Sequence, residues 1–145
     1  MNIKLLSFFA FVIAVIGILY LADNNMIITN NPVVIGIQFA AVALMIWARL
    51  TFGVRSFHAT ANTTEGGLVT TGPYRWFRHP IYAAILYFSW SILIVFHTPA
   101  AIGALILITF GLGTRMYLEE QSLLSTYPEY IAYSKKTKRV IPFIF

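Results

Sequence analysis

Residues 72–82 read GPYRWFRHPIY, a glycine–proline turn followed by two arginines, a histidine and several aromatic rings. The stretch runs into an uncharged segment, 81–96, and three more such segments occupy 5–21, 33–48 and 100–114. None of the four contains Asp, Glu, Lys or Arg. The polar stretch therefore stands at the threshold of a membrane span. Composition agrees, because 59% hydrophobic residues, 10% charged residues and a mean hydropathy of +0.76 lie outside the range of soluble globular domains. At 145 residues the chain reads as a single all-α integral membrane domain, 1–145, too short to add a separate soluble catalytic domain. It has no cysteine, which excludes thiolate nucleophiles, thiolate metal sites and a disulfide framework.

Four transmembrane helices are expected, at about 4–22, 32–50, 80–96 and 99–117, with a cytoplasmic loop at 51–79 and a cytoplasmic tail at 118–145. Lys4 precedes the first apolar core as in a signal peptide, but no small-x-small cleavage site follows, so this segment is read as a retained span. Asn31 and Pro32 give the second helix a capped start. The last two segments are short for a bilayer and only His97, Thr98 and Pro99 separate them, which predicts a short helical hairpin. With four spans, Lys4, Arg49, Arg55, Arg75, Arg78, Arg115, Lys135, Lys136, Lys138 and Arg139 all fall on one face. By the positive-inside rule that face, with both termini, is cytoplasmic, while Asp23 and His97 face the other side. The KKTKR cluster in the tail then reads as an anchor to anionic membrane lipids, not as a nucleic-acid site.

Two polar constellations fall on the cytoplasmic face. In the first, Pro80 opens the third helix and leaves Arg78 and His79 at its N-terminus, where free amides and side-chain donors suit an anionic group. In the second, Arg115 and Glu119 are four apart on one helical face, whereas Glu120 is turned about 140° from Arg115 at roughly 100° per residue. Paired carboxylates at a span end are costly as ornament. Beyond them Leu123, Leu124, Tyr127 and Ile131 recur at helical spacing, which predicts a C-terminal amphipathic helix. Gly111 and Gly113 read as helix packing rather than a phosphate loop, and the isolated His58 and His97 give no metal site.

In order, LVTTGPYRWFRHPIYAA, an apolar hairpin, RMYLEEQSLL, YPEYIAY and KRVIP resemble the isoprenylcysteine carboxyl methyltransferase family and the related phospholipid methyltransferases. The resemblance covers residues 65–142. It implies an S-adenosylmethionine-dependent integral membrane methyltransferase whose cofactor pocket is formed by the cytoplasmic loop and the C-terminal amphipathic helix. Carried over by position, Gly72, Tyr74, His79, Tyr82, Glu120, Arg139 and Pro142 would bind the cofactor, and Arg115 with Glu119 would be the catalytic pair that activates the substrate. The sequence departs from the family at Ala84, where glycine is usual, and in its short N-terminal part. The implied acceptor is lipophilic or amphiphilic, nominally an isoprenylcysteine carboxylate. A phospholipid or another small lipophilic amine or thiol is the alternative. A carboxylate needs no base, whereas an amine or thiol must lose a proton, for which Glu119 is the nearest candidate. Readings of another class are a small membrane transporter subunit or a non-catalytic assembly protein. The apolar cores of the spans, 5–21, 33–48, 81–96 and 100–114, carry no Asp, Glu, Lys or Arg such as a transporter uses.

The topology is testable with single cysteines in this cysteine-free chain. Cysteines at positions 62 and 134 should react with an impermeant thiol reagent only from the cytoplasmic side, and one at position 25 only from the opposite side. Labelling of 62 and 134 from opposite sides would separate the two polar constellations.

Overall fold

Caps and breakers set the helix boundaries. The computed structural model describes residues 3–53 and 67–141, so Arg55, His58, most of the first loop and Pro142 lie outside the described residues. Helix α1 spans Ile3–Asp23 and α2 spans Pro32–Phe52. The Asn31 side chain accepts hydrogen bonds from the amides of Val33 (3.0 Å) and Val34 (3.3 Å), while Pro32 occupies the first turn, where its missing N–H is not needed. A short 3₁₀ turn, Gly72–Arg75, precedes α3, Pro80–Trp90, which tightens into a 3₁₀ segment at Ser91–Ile94. Thr98 caps α4, Pro99–Thr126, by accepting from the Ala101 amide at 3.1 Å. A last helix, α5, covers Tyr130–Lys136. The described residues contain no β-strand, only an isolated parallel bridge between Phe77 and Lys138.

Three helices, α1, α2 and α4, are long and apolar enough to cross a membrane, and the apolar helical stretch Pro80–Ile94 is shorter. The hairpin expected from the sequence is unequal. Its second arm runs for 28 residues, well past position 117, because no proline or glycine cap interrupts it before Pro128. Tyr127, directly before that proline, is extended (φ −120°, ψ 104°), since the proline ring disfavours helical backbone at the preceding residue. The apolar spacing from Leu123 to Ile131 is therefore divided between the end of α4 and α5, and does not form one continuous amphipathic helix.

The bundle is held by two main pairings, α1 with α4 and α2 with α3. On α1 the buried positions are Ser7, Ala10, Ala14, Gly17 and Leu21, a three-four alternation that keeps one narrow seam of mostly small residues facing its partner. The answering α4 residues are Ala101, Ala104, Ile108, Gly111 and Arg115, spaced in the same way. Small side chains let the backbones approach. A methyl group on Gly111 would sit 2.9 Å from the Ala14 amide nitrogen, and one on Gly17 would sit 2.8 Å from the Ala104 carbonyl. The outward faces carry large apolar residues such as Phe9, Leu19, Phe39 and Leu50, as a lipid-facing surface requires. The seam ends at Arg115, which α1 covers with the Phe11 ring, 5.3 Å from the guanidinium.

The two glycines of FGLGTR now separate. Gly111 sits in the seam, whereas Gly113 has open space where a side chain would start. Gly111→Ala should lower the unfolding free energy by about 1–3 kcal/mol through overpacking, and Gly113→Ala should leave it unchanged or raise it. Thermal unfolding followed by circular dichroism in detergent compares the two, and equal sensitivity would contradict the seam.

Candidate active site

The residues before α3 are fixed in place by the chain's tail. Arg78 donates its amide to the Lys138 carbonyl (2.6 Å), His79 to the Arg139 carbonyl (3.0 Å), and Lys138 returns a bond to the Trp76 carbonyl (3.2 Å). These pairings take up the Arg78 and His79 amides, which precede the first turn of α3. The tail is held at further points by tyrosines. The Tyr133 hydroxyl donates to the Tyr74 carbonyl (2.6 Å), with the Phe77 carbonyl at 3.3 Å, and the Tyr87 hydroxyl donates to the Val140 carbonyl. Burial pushes the Tyr133 hydroxyl up to about 12, so it stays protonated and keeps donating across the physiological range.

Pairing the tail with the start of α3 brings three elements onto two adjacent carboxylates of α4. Glu120 is buried and faces the tail. Arg139 meets it as a fork, Nη2 to Oε2 at 2.9 Å and Nε to Oε2 at 3.1 Å, and this bond holds the guanidinium above its ordinary range. His79 Nε2 and Arg78 Nη1 each lie 3.3 Å from Glu120 Oε1. Glu119 faces the other way. Arg115 Nη2 reaches its Oε1 at 3.2 Å, and the Tyr82 hydroxyl donates to the same oxygen. Arg115 Nε in turn donates to the Tyr82 hydroxyl at 2.8 Å. His79 stands between the two halves, its Nδ1 3.7 Å from Glu119 Oε2, with its ring stacked on Tyr82 at 5.6 Å.

Of the residues singled out in the sequence, His79, Glu120 and Arg139 form one hydrogen-bonded group and Tyr82, Arg115 and Glu119 another, and the His79 ring, 3.7 Å from Glu119, joins the two into one cluster. Gly72 and Tyr74 lie beside it, on the end of α2. Gly72 has φ +56°, a left-handed conformation that suits glycine, and a methyl group there would come within 2.5 Å of Thr51 Oγ1. The Tyr74 ring packs on Phe52 at 5.5 Å, and burial raises its hydroxyl well above the usual tyrosine range. Ala84 is buried on α3. Arg78 belongs with the cluster, although the sequence offered it only as a donor at the helix start. Its guanidinium also faces the hydroxyl of the fully buried Tyr130.

An apolar chamber of about 550 Å³ adjoins the Glu120 side of the cluster, between α3 and α4. Leu86, Tyr87 and Trp90 line one wall and Gly113, Met116 and Tyr117 the other, with Arg139 and Val140 closing the end. Its size is that of a small-molecule site.

The isoprenylcysteine carboxyl methyltransferase (ICMT) family model matches residues 33–125. Among curated proteins, the protein-S-isoprenylcysteine O-methyltransferase of Tribolium castaneum is 39% identical over 79 residues, covering 53% of this chain and 28% of that protein. The protein of the same name from Xenopus laevis is 34% identical over 101 residues, covering 67% of this chain and 35% of its own length. The chain thus spans about a third of these relatives. No solved structure matches it.

Glu120 concentrates the charge balance of the cluster, and its loss should be felt in stability. Glu120→Ala leaves Arg78 and Arg139 facing each other around a buried void and should destabilise by about 3–5 kcal/mol. Arg139→Ala should cost less, because that side chain is 35% exposed and water can replace it. The order is checked by thermal unfolding in one detergent, and a reversed order would mean that Glu120 is not the hub.

Proposed function

The chain belongs to the isoprenylcysteine carboxyl methyltransferase family, and from that premise we propose that it methylates a carboxylate of a lipophilic acceptor, nominally an isoprenylcysteine, at the cytoplasmic membrane face. S-adenosylmethionine, when bound, supplies an electrophilic methyl group on a sulfonium. Its water-soluble, zwitterionic end calls for both charges at one place, and the Glu120 half of the cluster carries them. Glu120 would meet the ammonium. The Arg78 guanidinium, 3.3 Å from Glu120, would meet the carboxylate. His79, the Tyr82 ring and the Gly72–Arg75 turn with Tyr74 would flank the cofactor, and Arg139 with Pro142 would close over it. On this reading the chain would have four spans with both termini cytoplasmic, which would put the tail and the first loop on the side where the cofactor is dissolved.

The observation that carries the choice of acceptor is the occupancy of Glu119. Its Oε1 already accepts from Tyr82 and Arg115, and Oε2 faces His79 Nδ1 at 3.7 Å, so donors and a cation surround the carboxylate and weaken it as a base toward an amine or thiol. An acceptor that arrives as a carboxylate needs only alignment. Arg115 can supply it with a planar donor set, and its burial beneath Phe11 keeps water from competing for the guanidinium. The apolar chamber, although it adjoins the Glu120 half, would house the acceptor's hydrocarbon, for its walls offer few groups to a sugar hydroxyl and Met116 on its wall directly follows Arg115 in the chain. Holding acceptor and donor in line supplies several kcal/mol of the roughly 7–11 kcal/mol available from proximity in good intramolecular reactions.

Calorimetry of the purified protein with S-adenosylmethionine, followed by turnover on a prenylcysteine, tests the proposal. His79→Ala and Glu120→Gln should each weaken cofactor affinity by about five- to 150-fold, the equivalent of roughly 1–3 kcal/mol. Arg115→Ala should depress turnover strongly with cofactor affinity within a few-fold. Turnover should require the free carboxylate and vanish with the carboxamide. A wild-type protein that binds no S-adenosylmethionine, or methylates the carboxamide equally well, would refute it.

A further inference from the structure

We infer that the Tyr82 hydroxyl is a positioning group that locks the plane of the Arg115 guanidinium against Glu119, so that one side chain joins the two halves of the site. The inference rests on the methyltransferase reading for its role in transfer, and on geometry for the lock itself. Family position alone puts Tyr82 with the cofactor. Its contacts divide it in two. The ring stacks on His79 in the cofactor half, at an interplanar angle of 20°. The hydroxyl is engaged in the other half, accepting from Arg115 Nε at 2.8 Å and donating its proton to Glu119 Oε1. Arg115 Nη2 reaches that same oxygen at 3.2 Å, which closes a three-membered circuit of hydrogen bonds between α3 and α4.

A phenol has one proton and two lone pairs. Here the proton and one lone pair are already engaged, so the hydroxyl has little left with which to hold a cofactor. The circuit does something that the Arg115–Glu119 pair cannot do alone. An ion pair four residues apart on a helix fixes the separation of its charges but leaves a long arginine several rotamers. A third bond from another helix, made to Nε, fixes the orientation of the guanidinium plane. Orientation is what an in-line transfer to a carboxylate demands, and a displacement of about 1 Å in such a site can cost two orders of magnitude in rate.

Tyr82→Phe removes the hydroxyl and keeps the ring. The first readout needs neither cofactor nor turnover: solvent exchange of the Arg115 Nε–H proton, measured by ¹⁵N-edited NMR of the protein in detergent micelles. It should be protected in the wild type and exchange at least about tenfold faster in Tyr82→Phe. The second is a kinetic split. The variant should lose about ten- to a hundredfold in kcat, with the calorimetric Kd for S-adenosylmethionine within about threefold of wild type. Unchanged Arg115 exchange with a Kd weakened more than tenfold would overturn the inference and return the hydroxyl to the cofactor. Unchanged exchange and unchanged kcat would overturn it as well. A wild-type protein that shows the protected Arg115 signal but binds no S-adenosylmethionine would sink the methyltransferase reading and the role in transfer, while upholding the lock.

Discussion

Two carboxylates in adjacent positions of one helix point about 100° apart, so a single partner cannot neutralise both. Glu119 and Glu120 stand just past the apolar part of α4, partly buried, where unpaired charge is expensive. The rest of the structure can be read as a response to that constraint. Glu119 is served from within α4 by Arg115 and across the bundle by Tyr82, whereas Glu120 is served by Arg78, His79 and the returning tail. Among the described residues, His79 is the side chain that faces both. On the proposed function this division of partners would become a division of labour, with the reacting groups of donor and acceptor brought together where the two halves meet.

The tail is what makes the Glu120 half possible. Lys138 and Arg139 pair through their backbones with residues 76–79, and Tyr133 and Tyr87 bond to carbonyls on both partners in that pairing. A segment that would otherwise be a charged extension is held as an integral wall. The arrangement suits chemistry between a water-soluble donor and a lipophilic acceptor. The side that opens toward the bundle is apolar, and the side closed by the tail carries the charge.

Much of this was legible in the sequence wherever partners lie within one or two helical turns. Asn31 and Pro32 announced the start of α2, Arg115 and Glu119 announced their own pairing by their spacing, and the adjacent Glu120 announced that it must look elsewhere. Pro128 carried the signal that the last helix would break, but the apolar spacing across it suggested continuity, and the backbone restriction prevailed. The contacts between elements were out of reach. That the Tyr82 hydroxyl reaches Arg115, and that Arg78 reaches Glu120 instead of leaving its helix end open, depends on the register of α3 against α4 and the tail, which periodicity does not encode. The length of α4 escaped for a related reason. Its polar extension is tolerable only because partners from elsewhere in the chain satisfy it.

The central claim is that the adjacent carboxylates serve different reactants, with Glu120 on the methyl donor. A structure of the protein with S-adenosylhomocysteine bound tests it most directly. The account predicts density for the amino-acid end of the ligand against Glu120 and Arg78, with the Arg115, Glu119 and Tyr82 circuit intact and unoccupied by the ligand. Density placing that end on Glu119 and Arg115, with Glu120 still closed by Arg78, His79 and Arg139, would contradict it.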